Sequence, residues 1–198
     1  ISTSTFVLRE TALLWSDSRV AAETWYAKHP NSLRSLQFLL ISLSSQRRYD
    51  EYLRVVDSVG PPLRDGSEFA LIRLVAYCGL KDPEDVQIAA SNAKARLATQ
   101  SFRSSVTDLL DKLADGVPLG ECPGLSIEDV KELLGAALTN PNPKIRSDIR
   151  AQAHEILARL ILPERDLNAT MYHLEEAYRL RPTTSVGIAM SNILASAG

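Results

Sequence analysis

The sequence predicts an all-α protein of about ten helices stacked as antiparallel hairpins. Three observations carry this. Apolar residues recur with helical periodicity along most of the 198 residues, and no run of β-branched alternation is bounded by hairpin turns. Proline and glycine punctuate the chain at intervals that suit helices: Pro30, Gly60-Pro61-Pro62, Asp65-Gly66, Pro83, Gly116 to Gly124, Asn140 to Pro143, Pro163 and Pro182. Pro30 and Pro182 each close a helix that follows another helix after a short turn.

Taken in order, the first helix is expected near 5–14 and the second near 17–28. A third and fourth span 32–45 and 49–59, and a fifth and sixth span 67–79 and 83–99. A seventh covers 102–115. Ser126 and Asp129 then form a capping box, a hydroxyl and a carboxylate three residues apart that satisfy free N–H groups, so an eighth helix runs from there to 139. The ninth and tenth cover 144–162 and 166–180, and a last helix starts near Thr184. The longest loop, 116–125, reads as an irregular connection in preference to a binding loop.

Composition excludes several functions. Hydrophobic residues at 45% and charged residues at 23% are ordinary for a globular chain. A net charge of −2, with Arg47/Arg48 and Arg179/Arg181 as scattered basic pairs, gives no basic face for nucleic acid. No apolar run reaches the roughly 18 residues of a membrane span, so no membrane insertion is expected. Cys78 and Cys122 match no metal spacing and no disulfide framework; Cys78, in an apolar run, reads as a small buried hydrophobe, and neither a reducing nor an oxidising compartment follows.

No catalytic or metal constellation is legible, and no cofactor is expected. His154 and His173 fall where they approach each other across one helical hairpin, but no third ligand stands at a metal spacing, and His29 reads as a helix-end residue. There is no P-loop and no nucleophile elbow. Adjacent acids such as Glu128/Asp129 and Glu175/Glu176 point in different directions on a helix and do not make a carboxylate pair. Asn168-Ala169-Thr170 has the form of a glycosylation sequon but opens a helix, and it is read as coincidence.

Two segments resemble tetratricopeptide (TPR) repeats, helix–turn–helix units of about 34 residues. In 33–60, Leu36, Leu39, Leu40 and Leu43 fall on the first-helix seam, Tyr49 supplies the turn aromatic, and Val56 and Val59 continue the second helix. Leu40 and Tyr52 depart from the pattern, which favours small residues there, and are expected to widen the pair or change its crossing. The match in 151–182 is cleaner: His154, Leu157, Ala158 and Ile161 form the first seam, and Leu174, Ala177 and Pro182 close the second helix. Ala158 and Ala177 are small enough for close helix approach. The hairpins within 67–139 are divergent, and 184–198 resembles a truncated first helix.

The resemblance implies an irregular TPR-like α-solenoid over 1–198, with an irregular bundle as the competing architecture. It implies a groove lined by first-helix residues: Arg34, Gln37, Ile41, Ser44 and Ser45 in one repeat, and Gln152, Glu155 and Arg159 in the other. The implied partner is a protein or peptide, and the chain itself is not an enzyme. The lysine and asparagine with which some TPR proteins clamp a terminal carboxylate are missing from these positions. Ile188, Met190, Ile193 and Leu194 on the last helix are expected to lack cover and to promote self-association.

Arg9 and Trp15-Ser16-Asp17, before the helix ending at His29-Pro30, resemble a junction in bacterial polytopic membrane glycosyltransferase-like proteins that carry TPR repeats after the last span. That likeness implies an extracytoplasmic tail with transferase chemistry upstream of Ile1. The compartment therefore stays open between periplasmic and cytoplasmic. A third reading, an independent helical enzyme, would need a pocket of convergent perturbed groups around His154 and His173.

Overall fold

The computed structural model describes residues 17–61 and 63–197. Among them all regular structure is helical: α1 Ser18–Lys28, α2 Leu33–Ser45, α3 Tyr49–Ser58, α4 Ser67–Leu80, α5 Pro83–Thr99, α6 Ser104–Gly116, α7 Ile127–Thr139, α8 Ser147–Ile161, α9 Leu167–Leu180 and α10 Thr184–Ala197. Short 3-10 turns follow at Leu63–Asp65, Val117–Leu119 and Leu162–Glu164. No described helix is long and apolar enough to cross a membrane. The helix expected at 5–14, with Arg9 and Trp15, lies outside the described residues. Contacts divide the chain into two compact units, one up to Leu63 and one from Arg64.

In the first unit α1 packs on α2, and α2 on α3. Asp17 starts α1 by accepting from the backbone N–H of Arg19 at 2.9 Å, satisfying a free helix-start donor. The His29-Pro30 corner is fixed by Ser35, a fully buried serine whose hydroxyl reaches the His29 carbonyl. Leu36, Leu39, Leu40 and Leu43 are buried on one side of α2, and Tyr52 and Val56 are buried on α3, the helix that packs on α2. Leu40 and Tyr52 are both buried, and burial pushes the Tyr52 phenol well above its ordinary pKa. Trp25 meets Phe38 edge-on at 5.6 Å.

The second unit is built from hairpins α4/α5, α6/α7 and α8/α9, followed by α10. Beyond each hairpin, α4 packs on α6, α6 on α8, α5 on α7, α7 on α8 and α9 on α10. One core runs through five helices: Leu71 and Leu74, Val86 and Leu97, Val106 and Leu110, Val130 and Leu134, Ile149 and Ile156. Phe69, Ala70, Leu71 and Ile72 are consecutive and all buried, so the first turn of α4 is covered all round. The capping box at Ser126 and Asp129 forms with both of its backbone bonds. A smaller cluster joins Ala158, Leu174, Ala177, Val186 and Ile193, where the two alanines let α8 and α9 approach closely.

The cysteines require a correction. Cys78, at the end of α4, and Cys122, before α7, form a disulfide across 44 residues, and both are buried. Their spacing carries no motif because two successive hairpins, not the local chain, bring them together. The same loop is held twice more. Gln87 donates to the Gly124 carbonyl. Gly124 takes a φ of +88° so close to Pro83 that a Cβ would lie 2.7 Å from the Pro83 Cα. The segment 116–125 is thus a structural clamp over the start of α5.

A second lock follows α7. Buried Asn140 donates to the carbonyls of Leu97 and Gln100 at 2.6 and 2.7 Å and accepts from the Asn142 N–H at 2.9 Å. Arg150 donates to the carbonyls of Leu138 and Asn140 at 2.8 and 2.7 Å. These side chains satisfy helix-end acceptors that have no partner within their own helices.

Candidate binding groove

In the first unit, Arg34, Gln37, Ile41, Ser44 and Ser45 recur at helical spacing along one side of α2. Arg34, Ile41 and Ser45 are exposed, while Gln37 and Ser44 are half-buried. Ile41 is 60% exposed and is the apolar feature of the stripe. Ser45 turns its hydroxyl onto the Ser42 carbonyl of its own helix, at 2.8 Å.

The three positions on α8 are more constrained. Gln152 accepts from the buried Thr107 hydroxyl at 2.7 Å and donates to Asp108 at 3.3 Å. Arg159 pairs with Asp111 and, at 3.1 Å, with Asp115. Both residues tie α8 to α6. Glu155 accepts from Arg181, beyond the end of α9, at 3.0 Å. Held charges of this kind present a fixed pattern to a ligand and lose little side-chain entropy on binding.

Glu155 and Arg159 border a cavity of about 490 Å³ between α8, α9 and α10. Its walls are mainly apolar: Ala158 and Leu162, Leu174 of α9, and Val186, Ala189 and Ile193 of α10. Ser185 and Asn192 add polar groups on the α10 side. A mostly apolar cleft with a few fixed polar groups is the usual form of a binding site. Of the apolar α10 lining residues the sequence pointed only to Ile193, as an uncovered residue and not as part of a site. Val186, Ala189 and Ile193 recur at three- and four-residue spacing, a stripe that the emphasis on uncovered apolar residues overlooked.

The expectation for α10 is corrected in part. Ile193 is buried at 8% and Met190 packs against the small cluster, because α9 covers this side of the helix. Ile188 and Leu194 remain 57% and 63% exposed.

His154 and His173 meet between α8 and α9, their Nδ1 atoms 2.9 Å apart. One ring must donate and the other accept, so the contact requires complementary tautomers. Burial, then the neighbouring His173, lowers the His154 pKa to about 4. Burial also lowers His173, with Glu176 opposing. Tyr172 stands edge-on to both rings. Among the described residues no group of three or more metal-ligating side chains gathers here or elsewhere. His29 ends α1, its backbone N–H donating to the Trp25 and Tyr26 carbonyls.

Comparison of the chain with protein-family models, with curated proteins and with solved structures returns no match.

Proposed function

We propose that this chain is a protein-interaction module, an irregular TPR-like solenoid that takes a peptide or helix of a partner along its first helices. The observation that carries this reading is the mainly apolar cavity between α8, α9 and α10: it is bordered by Glu155 and Arg159, two of the three α8 positions assigned to the groove from the repeat pattern, while Gln152 lies outside it and the second helix α9 supplies part of its wall. The stacking of α4 on α6, α6 on α8 and α5 on α7 supports a solenoid reading, in which successive hairpins bury one another's faces. The test is photo-crosslinking from a benzophenone residue placed at Asn192 in the native host. A discrete adduct that disappears in an Ala189→Trp background, with helicity retained, is expected. Adducts matching those from a control position at exposed Ile88 on α5 would refute it.

The second reading, an extracytoplasmic tail of a membrane-bound glycosyltransferase-like enzyme, gains support from the Cys78–Cys122 disulfide. Structural disulfides persist in oxidising compartments and are rare in the cytosol. Mass spectrometry of the alkylated, unreduced protein from its host tests this. An intact cross-link in most molecules is expected; two free thiols in rapidly quenched cells would count against the reading.

A further inference from the structure

The cavity is open, apolar and edged by charge, and that edge has a sign. Along α6, Asp108, Asp111 and Asp115 recur at three- and four-residue spacing, so they share one side of the helix. Arg159, a cavity-lining residue, pairs with both Asp111 and Asp115 of α6, which stand behind it and do not themselves line the cavity. One guanidinium cannot neutralise two carboxylates. Asp108 is met by the neutral Gln152 amide at 3.3 Å. Glu155 adds a fourth carboxylate, matched by Arg181. Asp111 and Asp115 keep 38% and 66% of their side-chain surface in water, so both can accept further donors.

Resting on the groove reading above, we infer that the occupant is a cationic segment of a partner protein: a bulky aliphatic or aromatic side chain seated between α8, α9 and α10, with lysine or arginine one helical turn away, over Asp111 and Asp115. The apolar walls supply affinity by excluding water, and the fixed carboxylates select orientation and speed encounter. An acidic segment would meet uncompensated carboxylates at the same edge and is selected against.

The probes are two fluorescein-labelled peptides of equal length, one of leucine and lysine at helical spacing and one of leucine and glutamate. Fluorescence anisotropy should show binding of the lysine peptide that weakens as salt rises, and at least about tenfold weaker binding of the glutamate peptide. The Asp111→Asn/Asp115→Asn variant should bind the lysine peptide about three- to tenfold more weakly, an effect expected of partly exposed charge pairs. Ion pairs this exposed contribute little to stability, so helicity by circular dichroism should be unchanged in the double variant; Ala189→Trp separately tests the cavity. Equal affinity for both peptides, abolished by Ala189→Trp, would overturn the charge assignment and leave the groove reading standing. Lysine-peptide affinity indifferent to all three substitutions would overturn both.

Discussion

Acid should loosen the α8/α9 hairpin through His154 before most other parts of the second unit respond. The ring is 9% exposed and its pKa is held near 4 by burial and by His173, with Arg179 and Arg150 in the same direction and Glu176 opposed. In the unfolded chain a histidine titrates near ~6.5. The folded value is the lower one, so the unfolded state binds more protons between these two values. Stability is therefore complete above about pH 6.5 and is lost as pH falls towards 4. At ~1.4 kcal/mol per pH unit, the full interval bounds the loss at about 3.5 kcal/mol, of which roughly 2 kcal/mol falls between pH 7 and 4.5. His154→Gln keeps a polar partner for His173 but does not titrate. Hydrogen exchange of the α8 and α9 amides at pH 7 and 4.5 reads the hairpin locally. The parent should lose about 2 kcal/mol more protection than His154→Gln over this range. Parallel losses, or a parent that gains protection in acid, would refute the reasoning.

Other consequences follow from the packing. Gly124→Ala should destabilise by about 1–3 kcal/mol, because the Cβ meets the Pro83 backbone and the φ is left-handed, whereas Gly135→Ala, with open space and a helical setting, should stabilise by about 0.5–1 kcal/mol. Urea midpoints of the two variants should move in opposite directions. Asn140→Ala strands the Leu97 and Gln100 carbonyls and should cost about 2–3 kcal/mol in the same assay; a change near zero would show that these bonds are replaced by water. The exposed Ile188 and Leu194 should drive concentration-dependent association by sedimentation, relieved by Ile188→Ser/Leu194→Ser, and a clean monomer of the parent at high concentration would contradict this.

What could be read from the sequence was what the chain encodes locally. The described helices fall close to their expected spans because prolines, glycines and caps act within a few residues; the Ser126 and Asp129 capping box is one such case. The small Ala158 and Ala177 foretold the close α8/α9 pair. What escaped was set by tertiary geometry. Cys78 and Cys122 are joined only after two hairpins fold, and Asn140 finds its acceptors 40 and 43 residues away. On α8, repeat spacing singled out Glu155 and Arg159, which border the cavity, but also Gln152, which does not, and it read the lining residue Ala158 as a packing position. On α10 the stripe Val186, Ala189 and Ile193 is visible as helical spacing, but that it walls a cavity depends on how α9 packs against this helix.

The groove is tested most directly by methyl NMR of the chain titrated with the leucine/lysine peptide. Saturable shifts confined to Ala158, Leu174, Val186, Ala189 and Ile193 are predicted, with Ile88 on α5 unmoved. Shifts centred on Ile88, or a spectrum unchanged at peptide excess, would contradict the account.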